Sequence, residues 1–307
     1  MSLRERLVAR RRLPPVLLSL AVLSLAVLAS GAIAVSDGTP PPDTGDTRVR
    51  VMTYNLRQDI DPPPRDWPSR LPLVERVVRR HAPDLLGVQE VLWEQVRGLD
   101  GALPGYDWIG MGRRGGTRDE FAAILYRADR FEVMDFDHFW LSATPAVIGS
   151  STWGNTYPRM VTWARFRDRR DGTVFYHLNT HLDHHSGYAR VKSAQLILDR
   201  VRGFQPGVPV LLTGDFNTAA GESETYRILT GTDAFTDTWR TAGRQGPVHN
   251  TFGGWRTPVP GGDRIDWILS RGAVTASWTG IDPYQRDGLY PSDHYPVIAH
   301  LTIGDGR

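Results

Sequence analysis

The segment PVLLTGDFN, residues 209–217, joins an apolar run to a short polar group. The apolar part has the composition of a buried strand, and Asp215-Phe216-Asn217 stands where that strand would end. Polar side chains at the ends of neighbouring strands can converge on one site, so this arrangement predicts a sheet-based fold with a site at its rim. The arrangement recurs at Asn55 in VMTYN, at Gln89-Glu90 in DLLGVQE and at His181-Leu182-Asp183 in VFYHLNTHLD.

Similar segments surround this motif on both sides. We count about ten strand-like segments, several in direct succession, and three or four helical ones. Residues 69–82 and 187–203 carry apolar side chains on one helical face, and Ser69 is placed to cap the first helix. Strict alternation of strands and helices is absent, which argues against a doubly wound nucleotide-binding fold. The pattern predicts a layered α+β sandwich.

The N-terminus has the pattern of an export segment. Five arginines and one glutamate in the first twelve residues precede an uncharged apolar run over 16–35. A basic flank, an apolar run and the triplet Ala32-Ile33-Ala34 indicate a signal peptide, while the length of the run also suits an uncleaved anchor. We therefore predict a signal peptide or anchor over 1–34, a Pro/Gly-rich linker over 35–47 and a catalytic domain over 48–307. The domain would be secreted or tethered to the outer face of the cytoplasmic membrane.

Charge and cysteine content exclude several classes of function. The formal net charge is +2, but without the first twelve residues 31 basic side chains (36 − 5) face 33 acidic ones (34 − 1), a net of −2. A near-neutral domain lacks the broad basic surface of a strong nucleic-acid binder. The chain has no cysteine, which excludes disulfides, thiolate metal sites and cysteine nucleophiles.

The polar groups at the strand ends suit a hard cation. The carboxylates of Glu90, Asp215 and Asp293, with the amides of Asn55 and Asn217, form a set of oxygen ligands. Such a set suits Mg²⁺ or Mn²⁺ and is a poor site for Zn²⁺. Histidines among carboxylates supply acid–base groups near neutral pH, and a metal beside them indicates phosphoryl chemistry.

Six motifs in this order resemble the endonuclease/exonuclease/phosphatase superfamily: YNLR, GVQEV, NTHLDH, LLTGDFN, RIDWIL and YPSDHYPV. The resemblance covers about residues 48–303. Within the superfamily, the pattern of motifs is similar to that of a bacterial secreted or membrane-tethered branch. It implies a four-layered α/β/β/α sandwich, in which two mostly antiparallel sheets pack face to face between flanking helices. It also implies one metal site built from the loops at the strand ends.

The resemblance also implies roles for individual residues. Glu90 would be the main metal ligand, with Asn55 beside it, and Asp215 would orient or deprotonate the attacking water. Asn217 and Arg159 would hold the phosphate. His294 would contact the phosphate and stabilise charge in the transition state, and His181 would do the same or protonate the leaving oxygen. Glu120 is placed like the acid that partners the first histidine in related members.

Two points concern the partners of the histidines. Asp293 and His294 adjoin in sequence, but neighbours in an extended chain point to opposite faces, so Asp293 is poorly placed to hold that ring. We predict that Asp266 orients His294 and that Asp293 turns toward Glu90 as a metal ligand. For His181, Asp183 competes with Glu120 as the partner.

Several other features of the sequence are assigned no role in catalysis. The Gly-rich segment 110–118 lacks the Lys-Ser/Thr ending of a P-loop, so we predict a rim loop that brings Arg113 or Arg114 near the substrate. His184 and His185 are interpreted as loop and helix-start residues. Trp153 and Trp255 are candidates to line the cleft.

These observations favour a metal-dependent phosphoesterase, and among its kinds a nuclease. The alternative is a phosphatase or a sphingomyelinase-like phosphodiesterase acting on lipid headgroups or small phosphoesters. A non-catalytic binding module is disfavoured because each expected catalytic position is filled. We expect a monomer whose partners are a phosphoester substrate and, if the N-terminal segment is uncleaved, a membrane.

Overall fold

The computed structural model describes residues 47–304, which form twelve strands and five helices. The predicted export segment and nearly all of the linker lie outside the described residues. In chain order the elements are β1 (Thr47–Asn55), α1 (Trp67–His81), β2 (Leu85–Val91), α2 (Trp93–Ala102), β3 (Tyr106–Ile109), β4 (Phe121–Arg127), β5 (Phe131–Trp140), β6 (Met160–Asp168), β7 (Val174–His181), α3 (Gly187–Arg202), β8 (Val210–Asp215), α4 (Glu224–Leu229), β9 (Thr236–Asp237), α5 (Thr238–Thr241), β10 (Asp266–Arg271), β11 (Val274–Ile281) and β12 (Val297–Ile303).

The strands form two six-stranded sheets. The first has the order β11-β12-β1-β2-β4-β3 and the second the order β5-β6-β7-β8-β10-β9. Each sheet contains one parallel pair, β1 with β2 and β7 with β8, and its other neighbours are antiparallel. The prediction of two mostly antiparallel sheets is therefore confirmed.

Three apolar clusters hold the layers together. The central cluster joins the inner faces of the sheets, with Val51 and Ile124 of the first sheet and Phe166 and Leu211 of the second. A second cluster packs α1 and α2 on the outer face of the first sheet. A third packs α3 and α4 on the outer face of the second. Burial of alternate faces in this way produces the predicted four-layered sandwich.

Helix α1 differs from the sequence prediction at its start. It begins at Trp67, two residues before the predicted start, and it follows Asp66 without a capping bond from that side chain. Pro68 lies in the first turn, where its fixed φ suits a helix and its missing N–H costs nothing. Ser69 is therefore inside the helix and does not cap it.

The sequence prediction did not locate helices α2, α4 and α5 or the two-residue strand β9. Among residues 47–304, no helix combines the length and the apolar character needed to cross a membrane.

Candidate active site

The ends of six strands meet at one edge of the seam between the sheets. In the first sheet Asn55 at the end of β1 lies opposite Gln89 of β2, next to Glu90. In the second sheet Asp215 lies opposite both His181 of β7 and Asp266 of β10. The sixth is β12: His294 comes three residues before it, and β12 pairs with β1. The strand ends therefore bring both sheets' polar groups together.

Three non-glycine residues at this edge have left-handed backbones: Arg57 (φ 53°), Glu90 (φ 62°) and Asn217 (φ 50°). At Glu90 the pairing of β2 with β4 shifts register between Val88 and Val91, as in a β-bulge. Left-handed conformations are uncommon for such residues and concentrate at functional sites. Each of the three departs from the strand geometry at the edge where the site lies.

The Asn55 amide joins the two sheets across the site. Its nitrogen donates to Glu90 Oε1 and to Asp215 Oδ2, both at 2.9 Å. Its oxygen accepts from the backbone N–H of Arg57 at 3.0 Å. In this arrangement Asn55 positions the two carboxylates, while its predicted role as a metal ligand stays a prediction.

Buried carboxylates give the site its capacity for a cation. Single ligand atoms of Glu90, Asp215 and His294 all lie within 4.8 Å of one another. Burial, and then the charge of Asp266, raise the pKa of Asp215 to about 7. Burial likewise raises the pKa of Asp293, and the charge of Glu90 adds to this. Buried carboxylates that lie close together are costly to ionise, because their negative charges repel one another away from water. A hard divalent cation would offset that charge, so this group suits one.

His294 has the predicted orienting partner. Its Nδ1 lies 2.9 Å from Asp266 Oδ2, and its Nε2 points into the site, 3.8 Å from Asp215 Oδ2. Burial opposes the charged ring, but Asp266 and Asp215 outweigh it and raise the pKa of His294 well above its usual value. The neighbouring carboxylates therefore favour the protonated ring of His294.

His181 is in the opposite state. Arg159 Nη1 lies 2.8 Å from its Nδ1, and the Asn217 amide nitrogen lies 2.9 Å from its Nε2. Burial, followed by the charges of Arg159 and Arg113, lowers the pKa of His181 well below its usual value. A neutral ring is a poor acid, so the geometry favours contact with the phosphate over protonation of the leaving oxygen.

The structure distinguishes between the two candidate partners of His181. Asp183 Oδ1 accepts from the backbone N–H groups of His185 and Ser186, which lie before α3. Glu120 Oε2 lies 3.7 Å from His181 Nδ1, so it is the nearer carboxylate, although Arg159 makes the shorter contact. Burial raises the pKa of Glu120 to about 7.

A model of the Endonuclease/Exonuclease/phosphatase family matches residues 52–294 of this chain. The chain belongs to the endonuclease/exonuclease/phosphatase family. Members of this family hydrolyse phosphoric esters, so the chain is a phosphoric ester hydrolase. The site described above lies within the matched residues.

Solved structures of the family resemble this chain over nearly all of their own length. A family protein from Bacteroides vulgatus is 36% identical, with a TM-score of 0.79, covering 83% of this chain and 98% of that one. A mannosyl-6-phosphatase from Bacteroides thetaiotaomicron is 32% identical, with a TM-score of 0.78, covering 82% and 99%. TDP2 from D. rerio, complexed with single-stranded DNA product, is 17% identical, with a TM-score of 0.68, covering 83% and 99%, and shows the fold alone.

A curated relative, Protein angel of Drosophila melanogaster, is 26% identical over 169 residues. That match covers 51% of this chain and 45% of the relative. The chain therefore spans less than half the length of that relative.

The other residues that the sequence placed near the substrate lie in different surroundings. Arg113 is buried and bonded to Glu120 at 2.8 Å, whereas Arg114 pairs with Asp119 at the surface. His184 and His185 lie between β7 and α3, and His184 Nδ1 lies 2.9 Å from Arg159 Nη2. Trp153 packs against the α3 cluster, and Trp255 lies 5.2 Å from the Arg65 guanidinium.

Sequence reasoning missed three residues near the candidate site. Arg57 contacts its carboxylates, and Phe252, half exposed, lies 5.0 Å from the His294 ring. Arg70 is fully buried and donates to the carbonyls of loops on both sides of the site. The R of YNLR was the available signal for Arg57. An arginine within an amphipathic helix gives no comparable signal, since it usually faces solvent.

Proposed function

We propose that this chain is an extracytoplasmic, divalent-metal-dependent phosphoesterase that hydrolyses small phosphorylated molecules, sugar phosphates first among them. One observation carries the chemistry: the buried Asp215 carboxylate lies among Glu90, the His294 imidazolium and the Asn217 backbone N–H. A carboxylate with a pKa of about 7 can take a proton from water at neutral pH.

Glu90 is the residue best placed to hold the cation, through Oε1, the oxygen on the side of Asp215. His294 belongs to the same group of possible ligands, but Asp266 keeps it charged, and an imidazolium cannot ligate a metal. The oxygen ligands favour Mg²⁺ or Mn²⁺. When bound, the ion would offset negative charge on the phosphoryl group.

The chain's own residues account for the rest of the reaction. Asp215 orients a water molecule and accepts its proton as the water oxygen bonds to phosphorus and the ester P–O bond breaks. The leaving alcohol oxygen takes a proton from solvent. His294, fixed by Asp266, places a positive charge beside the phosphoryl oxygens, and this stabilises the transition state.

The small-substrate proposal draws on the similarity to the mannosyl-6-phosphatase, which is 32% identical over 99% of that structure. The sequence identity to the DNA-bound TDP2 is only 17%, which is too low to support a shared substrate. The net charge of −2 beyond residue 12 also disfavours a polynucleotide. The nuclease favoured by the motifs becomes an outcome of the test.

The location rests on residues 1–34, whose basic flank and apolar run have the pattern of a signal peptide or anchor. Tethering to the membrane by an uncleaved segment and a monomeric state are parts of the same proposal. Fractionation of cells that express the full chain with a C-terminal tag tests the location. Tagged protein confined to the cytosol would contradict it.

A substrate panel tests the activity. Mannose 6-phosphate, p-nitrophenyl phosphate, bis-p-nitrophenyl phosphate, sphingomyelin, RNA and plasmid DNA would each be incubated with the protein in Mg²⁺, Mn²⁺, Ca²⁺ or EDTA. We expect the highest kcat/KM on a small phosphoester. In EDTA we expect no hydrolysis of any substrate. Preferred cleavage of RNA or DNA would replace the small-molecule proposal with the nuclease, and preferred cleavage of sphingomyelin would replace it with the lipid phosphodiesterase.

A further inference from the structure

Arg57 lies two residues beyond β1, and its backbone is held on both sides. Its N–H donates to Asn55 Oδ1 at 3.0 Å. Its carbonyl accepts from Arg70 Nη2 and from Gln95 Nε2, both at 2.9 Å, and these two side chains are fully buried. These bonds fix residue 57 in its left-handed conformation, so the direction in which its side chain leaves the backbone is set by the fold.

The guanidinium of Arg57 contacts three carboxylates. Nε lies 2.9 Å from Asp61 Oδ2 and 3.9 Å from Asp293 Oδ2, and Nη1 lies 3.9 Å from Glu90 Oε2. A guanidinium stays protonated in proteins, so Arg57 places a positive charge between Glu90 and Asp293.

The two oxygens of Glu90 face different neighbours. Oε1 is on the side of Asp215, since the Asn55 amide nitrogen bridges the two carboxylates. Oε2 faces Arg57. Only Oε1 is therefore turned toward the place where the proposed function puts the metal. The space between Oε2 and Asp293 is already occupied by a positive charge.

We propose that Arg57 stands where a second divalent cation would bind, between Glu90 and Asp293, and so makes this a site for a single metal ion. The proposal rests on the metal site of the proposed function. Anchored by its bond to Asp61, the guanidinium lies 3.9 Å from both Glu90 and Asp293, so it supplies positive charge to this pair without a metal. Its charge also repels the ion held at Oε1, so Arg57 lowers the affinity of that position.

Direct metal binding tests this assignment without reference to any substrate. Isothermal titration calorimetry with Mn²⁺ would compare the wild-type protein with Arg57→Gln and Arg57→Lys. We expect one bound ion for wild type and for Arg57→Lys, which keeps a cation in place. We expect Arg57→Gln to bind a second ion and to bind the first roughly tenfold more tightly, because a nearby positive charge is gone.

Two further variants locate the effect. Arg57→Gln combined with Asp293→Asn should return to one ion, because half of the vacated carboxylate pair is removed. Arg202→Gln is the matched control, since Arg202 forms an exposed ion pair with Asp199 at the end of α3. It should bind Mn²⁺ as wild type does. The melting temperature of each variant would show that the fold is kept.

Two ions bound by the wild-type protein, or an Arg57→Gln protein with unchanged stoichiometry and affinity, would overturn the role of Arg57. Failure of the proposed function is recognisable separately, because the wild-type protein would then bind no Mn²⁺ at all. A protein that binds one ion but hydrolyses no phosphoester would overturn the proposed activity and leave the role of Arg57 intact.

Discussion

The two histidines of the site carry opposite charge states because their neighbours differ. His294 lies against Asp266 and Asp215, which favour the imidazolium, whereas His181 lies against Arg159, which disfavours it. At this scale the sequence predicted the pairing of Asp266 with His294, and the structure places them 2.9 Å apart. It did not predict that Arg159 lies at Nδ1 of His181, because the partners of a guanidinium depend on side chains from other strands.

Replacing Asp266 tests the charge state of His294. Asp266→Asn removes the charge that raises the pKa of His294, so the imidazolium would be lost at a lower pH. We expect the alkaline limb of the kcat/KM profile to move to lower pH and kcat to fall by about 10²–10⁴, as when an orienting carboxylate is lost elsewhere. Asp129→Asn, at an exposed carboxylate after β4, is the control. An unshifted alkaline limb would contradict the role of Asp266.

At the scale of elements, the relative position of the two sheets sets the site. Asn55 and Glu90 belong to the first sheet, and Asp215 and His181 to the second. A buried polar network ties the sheets directly beneath them. Gln89 Nε2 donates to Asn179 Oδ1 at 2.7 Å, and Thr213 Oγ1 donates to the same oxygen at 3.0 Å.

Gly87 allows this close approach of the sheets. A Cβ added there would lie 2.3 Å from Thr213 Oγ1 and 2.5 Å from Asn179 Oδ1. We expect Gly87→Ala to lower the free energy of unfolding by about 1–3 kcal/mol, as overpacking does in other cores. Thermal unfolding measures the change. Gly101→Ala in α2, where a Cβ meets nothing within 4 Å, should not destabilise the protein. Equal melting temperatures for the two variants would contradict this account.

Helix α1 holds loops on both sides of the site through Arg70. Its guanidinium donates to the carbonyls of Arg65, Leu56, Pro291 and Arg57 at 2.6–3.0 Å. Arg70→Met would leave these carbonyls without their donor, so we expect a loss of about 3–5 kcal/mol in denaturant unfolding. Activity should fall too, because the loops carry residues next to Asn55 and Asp293. Arg76→Met, at an exposed position of the same helix, is the control, and an equal effect would contradict the role of Arg70.

The sequence predicted elements well where the apolar pattern was long, and less well elsewhere. The segment 209–217 was predicted as a buried strand that ends at its polar group and is found as β8, Val210–Asp215, and the helix predicted over 187–203 is α3, Gly187–Arg202. Helix α2 contains two glycines, Gly98 and Gly101, and its apolar face is short, so periodicity did not reveal it. Tertiary contacts with α1 and the first sheet stabilise it instead.

For the whole molecule, ordered motifs at strand ends predicted both the layered fold and the location of the site. Local patterns could not show how tightly the layers pack. That depends on Gly87, Asn179 and Thr213, which are far apart in the chain and meet only when the sheets do. The charges that decide the proposed number of metal ions come from Arg57, Glu90 and Asp293, and these too are joined only by the fold.

The central claim is that Asp215 activates water for attack on a phosphoester beside a divalent cation. Its most direct test is the steady-state hydrolysis of p-nitrophenyl phosphate and bis-p-nitrophenyl phosphate by the wild-type and Asp215→Asn proteins, each in Mg²⁺ and in EDTA. We predict that EDTA abolishes wild-type activity and that Asp215→Asn lowers kcat at least about 10²-fold at an unchanged melting temperature. Activity that survives EDTA, or an Asp215→Asn protein as active as wild type, would contradict the claim.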